Sequence, residues 1–431
     1  MTLVKPPERS AMNFGTFSMA VLAAAVRDIA SIDIIDATDL GLQDAVKKAI
    51  NGNPDVIGVT AMGLNSIGPV ASFVSAVRGS GYNGTLVAGG HGASMMPMEL
   101  LESGADAVVY GEGELTFRHL LLSSISENAQ GLFLLRAGKL FKTPPFPLVS
   151  IDDLIEPARD LAKVTLGGVF LLETSRGCPH SCAFCETSRF NRGIWRARSP
   201  ENVVKDVRRL LEIGATVVHI ADDNFLASTE RAIKICRLLS DGPLPLFFLI
   251  SARSDDLTSD PELIPSLARA NFLRVTVGVE TVVPAILAKI KKNISFETHK
   301  KAFQAMKDAG IYTVASFIVG LPGETEAMRR RYVNAAIELA DSATFLPFQP
   351  LPGTPLERAT VDPEPWSIAC AERLTREFER HPKVLQRLMG AAKSPTVRGA
   401  LARASLTRRL NEKSLGEEAE AEIMKTLGKQ H

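Results

Sequence analysis

The 431-residue sequence lacks any hydrophobic run long enough to cross a bilayer. Its most apolar early stretch, Met19–Val26, stops at Arg27. The opening MTLVKPPERS lacks the basic start and apolar run of a secretion signal. Neither sign of charge is in excess: 49 Lys and Arg against 48 Asp and Glu give a net charge of +1. That excludes a general attraction to nucleic acid or to an anionic membrane. Cysteine is also scarce, with five in the chain; three fall between positions 178 and 185, while Cys236 and Cys370 stand alone. An odd, clustered set without a secretion signal argues against a disulfide framework and for a metal or redox site. Together these absences point to a cytoplasmic protein. What is present, 45% hydrophobic and 23% charged residues, suits a globular chain of two or three domains.

Short apolar runs alternate with helical patterns over the first 125 residues. Strands are expected at Leu3–Lys5, Ile32–Ala37, Val56–Ala61, Thr85–Ala88 and Ala107–Tyr110, and helices at Phe17–Ile29, Leu42–Ile50, Val70–Val77, Met98–Leu101 and Leu115–Leu122. This alternation predicts an α/β, doubly wound, Rossmann-like domain over 1–128, whose ligand loops follow the strands: Pro6–Gly15, Thr38–Gly41, Met62–Gly68, Gly89–Ser94 and Gly111–Glu114. Residues 129–160 read as a connector with a small hairpin and a proline-rich run. A second alternation over 161–355 places strands at Val169–Thr174, Val217–Ala221, Phe247–Ser251, Val275–Val279, Val314–Val319 and Thr344–Phe348. Six strand–helix units predict a partial TIM-type barrel with its active residues at the carboxyl ends of the strands. Ser199-Pro200-Glu201 marks a helix start by its capping serine, first-turn proline and acid. Residues 356–431 read as a helical region. Between Lys383 and Lys413 it carries eight Lys or Arg against one Glu, either a solvated helical face or a contact arm for an acidic partner.

The sharpest signal is Cys178-Pro-His-Ser-Cys182-Ala-Phe-Cys185, on the loop after the first barrel strand. Three thiolates there can hold three irons of a four-iron cluster and leave the fourth iron open. The alternative is zinc. It would need a fourth ligand, which only His180 could supply locally, and no second CxxC arm is present.

The CxxxCxxC spacing with Phe184 before the last cysteine resembles the radical S-adenosylmethionine (SAM) superfamily. Further matches follow in order: Ile220-Ala-Asp222-Asp223-Asn224-Phe225, Ser251-Ala-Arg253, Val277-Gly-Val-Glu280, Phe317-Ile318-Val-Gly320-Leu-Pro-Gly-Glu324 and Pro350-Leu-Pro-Gly-Thr-Pro355. The resemblance implies a 4Fe-4S cluster on Cys178, Cys182 and Cys185. It places Asp222, Asp223 and Asn224 around the methionine end of SAM, Arg253 against SAM from the end of the third strand, Glu280 at the ribose, and Ile318 and Gly320 at the adenine.

The N-terminal region is similar to the cobalamin-binding domain fused to such barrels, through Ile34-Ile-Asp36-Ala37, Val56–Met62, Val87-Ala-Gly89-Gly90-His91 and Tyr110-Gly111-Glu112-Gly113-Glu114. It implies cobalamin contacts from Thr60, Met62, Gly89, Gly90, His91, Gly111, Glu112 and Gly113. The Asp-x-His-x-x-Gly motif that supplies a histidine below cobalt is absent. Asp36-Ala-Thr38-Asp-Leu-Gly41 resembles it with Thr for His, but after the second strand, so cobalamin without a histidine lower ligand is expected.

What the resemblance implies chemically is reductive cleavage of SAM to methionine and a deoxyadenosyl radical, hydrogen abstraction from an unreactive carbon, and capture of a methyl group from methylcobalamin. C-methylation of an sp3 carbon of a protein, peptide or small molecule is therefore expected. A non-methylating member such as the anaerobic magnesium-protoporphyrin cyclase is the alternative enzyme, and a non-catalytic iron–sulfur or zinc module the alternative of another class. A reducing partner such as ferredoxin or flavodoxin is implied. Methyl-coenzyme M reductase is one candidate protein substrate; neither nucleic acid nor membrane is expected as a partner.

Overall fold

The computed structural model describes residues 1–8, 15–123, 125–161, 169–242, 244–359, 364–412 and 415–428, with the backbone alone for 364–366. The expected loop Pro6–Gly15 thus lies partly outside the described residues, as does Lys413. The chain divides into two compact units, Met1–Leu171 with Arg189–Arg192, and Leu172–Ser188 with Gly193–His431.

The first unit is built on seven strands: β1 (Thr2–Lys5), β2 (Asp33–Asp36), β3 (Val56–Thr60), β4 (Thr85–Gly89), β5 (Ala107–Val109), β6 (Leu132–Arg136) and β7 (Lys139–Lys142). Their order is β2-β1-β3-β4-β5-β6-β7, parallel through β5. Consecutive side chains alternate between two cores: Val4, Ile57, Leu86 and Ala88 pack on one face, Leu3, Val56 and Val87 on the other. Burial on both faces explains why these strands are continuously apolar. The hairpin β6–β7 pairs antiparallel onto β5 and so extends the sheet. The helix expected at Met98–Leu101 is Pro97–Glu102, and a further short helix, His91–Met95, starts within the expected loop Gly89–Ser94.

The barrel strands are β8 (Val169–Leu172), β11 (Val217–Ile220), β12 (Phe247–Ala252), β13 (Phe272–Glu280), β14 (Tyr312–Val319) and β15 (Ser342–Pro347). A small hairpin of β9 (Ser175–Arg176) and β10 (Arg196–Ala197) follows β8. The six-stranded sheet runs β15-β14-β13-β12-β11-β8, with sequential parallel neighbours from β11 to β15. The helix Pro200–Glu212 begins as its sequence requires, with Ser199 Oγ accepting from Asn202 N at 3.4 Å. Along most of these strands burial alternates. Val218, Ile220, Phe248, Ile250, Val275, Val277, Phe317, Val319 and Phe345 are buried. Phe317 stacks on both Phe345 and Tyr332, the latter from the helix Glu326–Leu339, so this set faces the outer helices. The intervening residues face the lumen.

Helices Glu364–Arg380, Pro382–Ala392, Val397–Asn411 and Glu417–Thr426 end the chain. Their basic residues are neither a uniformly solvated face nor a free arm. Arg387 donates to the carbonyls of Ile337 and Ala340, and Arg403 to those of Ala392 (2.6 Å) and Ser394 (2.9 Å). Arg398 reaches the Lys307 carbonyl at 3.3 Å and Arg409 that of Glu379 at 3.1 Å. Each guanidinium sits at a helix carboxyl end, where unsatisfied carbonyls and the negative end of the dipole favour a cation. Among the described residues, no helix is long and apolar enough to cross a membrane.

Candidate active site at the barrel rim

Asp222 ties the start of the cysteine loop to the end of β11. Its Oδ1 accepts from Thr174 N at 2.6 Å, and its Oδ2 from Thr174 Oγ1 at 2.5 Å and Ser175 Oγ at 2.6 Å. Burial nevertheless pushes its carboxyl up to about 6, against the opposing pull of these donors. Asp223 Oδ2 accepts from Gly177 N at 2.9 Å, and its Oδ1 from Thr187 Oγ1 at 3.2 Å, so it grips the loop on both sides of the cysteines. Ala183 N donates to the Ile290 carbonyl at 2.8 Å, anchoring the loop's middle.

Two side chains point N–H groups at the sulfurs. Asn224 Nδ2 lies 3.9 Å from Cys178 Sγ and donates to Asp256 Oδ2 at 2.9 Å. Arg253 Nη1 lies 3.5 Å from Cys182 Sγ, while its Nε and Nη2 hold Asp255 at 3.0 and 2.7 Å. Burial raises the Cys178 thiol and pushes Cys185 up to about 11, so metal binding at these two must release protons. All three cysteines are part-exposed, whereas Cys236 and Cys370 are buried away from the loop as free thiols.

This donor set fits a three-thiolate iron–sulfur cluster: three sulfurs on one short loop, two of them already facing N–H donors that would stabilise negative charge on sulfur. The zinc alternative fits poorly. His180, its fourth ligand, turns Nε2 to Asp256 Oδ1 at 3.6 Å. Among the described residues no three His, Cys, Asp or Glu side chains are gathered around a single-ion position.

Glu280 ends β13 with φ +62°, a left-handed conformation uncommon outside glycine. Its Oε1 pairs with Lys292 Nζ at 2.7 Å, both side chains nearly buried. Gly278 makes room for the pair: a Cβ there would lie 2.3 Å from Glu280 Oε1 and 2.7 Å from Lys292 Nζ. Lys292 lies beyond the next short helix, in no motif, so nothing local in the sequence marks it as Glu280's partner. Ile318 faces the lumen, part-buried, on β14. Gly320 has φ +91° and donates its N–H to Glu324 Oε2 at 2.6 Å. Glu324 also accepts from Arg329 Nε at 2.6 Å and from Tyr332 OH at 2.5 Å, and Tyr332 OH meets Thr281 Oγ1 at 2.7 Å. Glu324 therefore organises the β14 turn. Its presence in the glycine motif was the signal.

In the first unit, the glycine loops meet at the carboxyl ends of β3 to β5. Thr60, half-buried, ends β3, and Met62 beyond it is exposed. Gly89 ends β4 and accepts from Ala61 N at 2.8 Å. Gly90 has φ +108°, and a Cβ on it would lie 2.5 Å from the Ala61 carbonyl oxygen, so glycine here packs two loops backbone to backbone. His91 opens the following helix and stacks on Phe190 at 3.7 Å. Gly111 donates its N–H to Ser94 Oγ at 3.2 Å, and a Cβ on it would meet nothing within 4 Å. Glu112 accepts from Val149 N at 3.0 Å, and Gly113 begins the helix that runs to Leu122. Thr38, in the position resembling the lower-ligand histidine, donates both N–H and hydroxyl to Asp36 Oδ1, at 3.1 and 2.5 Å. The open space beside Gly111 and the exposed Met62 at this edge leave room for a flat cofactor such as a corrinoid.

The comparisons agree with this geometry. Residues 172–336 match the radical SAM superfamily and residues 10–121 the B12 binding domain. The chain is 31% identical over 399 residues to an uncharacterized methyltransferase of Pyrococcus horikoshii, covering 86% of this chain and 83% of that one. It is 28% identical over 354 residues to the anaerobic magnesium-protoporphyrin IX monomethyl ester cyclase of Rubrivivax gelatinosus, spanning 77% of this chain but 62% of the cyclase. The radical SAM methyltransferase TsrM of Kitasatospora setae shares the fold, with a TM-score of 0.73 at 21% identity over 82% of this chain and 74% of TsrM. This chain belongs to the radical S-adenosylmethionine superfamily, in its cobalamin-dependent branch.

Proposed function

We propose that the protein is a cobalamin-dependent radical SAM methyltransferase acting on an unactivated sp3 carbon. The observation that carries this reading is the rim loop, with three cysteines braced by Asp222 and Asp223 and faced by Asn224 and Arg253. The methylating reading is favoured over the cyclase because the methyltransferase relative matches at higher identity and over more of its length.

Cys178, Cys182 and Cys185 would hold the cluster, and the Thr60, Gly89–His91 and Gly111–Gly113 loops the cobalamin. When bound, the cluster supplies the electron for SAM cleavage and cobalamin the methyl group. The chain's own part is positioning. Asp222 and Asp223 fix the loop, and Asn224 and Arg253 donate toward sulfur. The Glu280–Lys292 pair offers a carboxylate and an ammonium at the rim, suited to the hydroxyl and zwitterionic groups of SAM. The turn locked by Glu324 fixes Gly320 beside them. Enzymes of this superfamily need a reducing partner; a ferredoxin or flavodoxin in a reducing cytoplasm is the proposed donor.

The test is the fate of methyl-labelled SAM on protein loaded with cluster and cobalamin. A methyltransferase yields S-adenosylhomocysteine together with deoxyadenosine and places label on carbon. Deoxyadenosine without S-adenosylhomocysteine would support the cyclase-type alternative.

A further inference from the structure

The barrel lumen carries exposed side chains toward its rim and an arginine at its floor. The lumen-facing Ala221, Ser251, Thr344 and Leu346 are exposed, although each sits in or just beyond a strand whose outer face is buried. A filled barrel would bury them. Below them, the strand register sets His219, Leu249, Arg274 and Tyr312 in one row across β11 to β14. Tyr312 OH hydrogen-bonds Ser342 Oγ at 2.6 Å, fixing the phenol at the floor.

Arg274 is the unusual member of the row. It is half-buried, its Nε is buried without a hydrogen-bond partner, and among the described residues no carboxylate pairs with it. Other buried or half-buried charges among the described residues have partners: the guanidiniums of Arg387, Arg403 and Arg409 meet helix-end carbonyls, and buried carboxylates meet cations. Glu280 has Lys292, Asp341 has Arg398, and Glu324 has Arg329. A guanidinium held in a protein cavity without a counter-ion is costly, and its fork of donors matches a carboxylate or phosphate-type oxyanion.

We propose that Arg274, with His219 and Tyr312 beside it, binds the anionic end of a small substrate that enters the lumen. Resting on the methyltransferase reading above, this assigns the substrate to small acids carrying a terminal carboxylate or phosphonate-type group. From the Arg274 row to the Gly278 row is about 13 Å along the strand, part of which the arginine side chain spans. The carbon to be methylated therefore lies several bonds from the acid group, toward the rim where the cysteines sit.

The experiment uses cluster-loaded enzyme with SAM under anaerobic conditions, first checked for deoxyadenosine formation. Butanoate, propylphosphonate and butanamide are then titrated calorimetrically. An acid binds, the neutral amide does not, and Arg274→Met weakens the acid at least tenfold, Arg274→Lys less. Which acid binds tells carboxylate from phosphonate. His219→Gln, weakening the same acid, is the second variant should Arg274→Met fail to fold, and the acid–amide comparison needs no variant at all. Equal binding of amide and acid, no binding of either acid, or acid binding indifferent to Arg274 and His219 would overturn the proposal. Those results in an enzyme that cleaves SAM leave the proposed function standing; absence of the cluster and of cleavage would remove that function instead.

Discussion

Asn224 and Arg253 each offer an N–H to a cysteine sulfur, and both come from strand ends on which the loop itself does not lie. The cysteines thus act as a set placed by their neighbours. Replacing Cys178, Cys182 or Cys185 singly by Ala should reduce deoxyadenosine formation to background. Cys236→Ala and Cys370→Ala should keep full iron content and cost about 1 kcal/mol in an unfolding titration, since both are simply buried. His299 gives a residue-scale test of pH. Burial, with Lys292 nearby, lowers its imidazole from 6.5 to about 4, and its Nδ1 shares a 2.7 Å hydrogen bond with Ser254 Oγ. A depressed histidine favours the neutral form, so its contribution is fully present above pH 6.5 and is lost as pH falls toward 4. The loss is on the order of 3 kcal/mol. His299→Gln should therefore flatten the fall in unfolding free energy between those pH values. An unchanged slope would contradict the buried, neutral assignment.

At the scale of elements, two ion pairs with buried carboxylates fix the ends of β14. Asp341 accepts from Thr313 N at 3.0 Å and pairs with Arg398 at 2.9 Å, below the strand. Glu324 and Arg329 close the turn above it. Removing one partner leaves the other buried and uncompensated, which typically costs about 3–5 kcal/mol. Arg398→Met should fall in that range at the lower end, because Arg398 is part-exposed, while Lys383→Met and Lys393→Met should be near neutral. Equal effects at all three would mean that the basic helices carry no specific caps. Glu324→Gln should lower both stability and SAM affinity, as the Gly320 turn loosens. The KM for SAM in deoxyadenosine formation is the readout that separates this from simple destabilisation.

Across the whole molecule, most of the architecture was legible because parallel strands buried on both faces announce themselves as short apolar runs between helical patterns. The cysteine loop, the Asp222-Asp223-Asn224 run and the Gly320–Glu324 turn were legible for the same reason: each is local in sequence. What sequence could not give was pairing over distance. Lys292 reaches Glu280 only through the fold, and the basic C-terminal residues read as a surface until their helix-end carbonyls come into view. Arg274 was hidden by a boundary. With β13 started at Val275 rather than Phe272, the arginine fell outside the strand, and its place in the lumen row could not be seen. The hairpin Leu132–Lys142 was likewise read as part of a connector, because nothing in its own residues says which sheet edge it will join.

The central claim is an iron–sulfur cluster on three thiolates with one open iron for SAM. Its most direct measurement is the electron paramagnetic resonance of dithionite-reduced, anaerobically reconstituted protein before and after adding SAM, alongside iron and sulfide content. About four irons and four sulfides per chain are predicted, with a reduced-cluster signal that changes when SAM is added. Zinc in place of iron, or a cluster signal indifferent to SAM, would contradict the account.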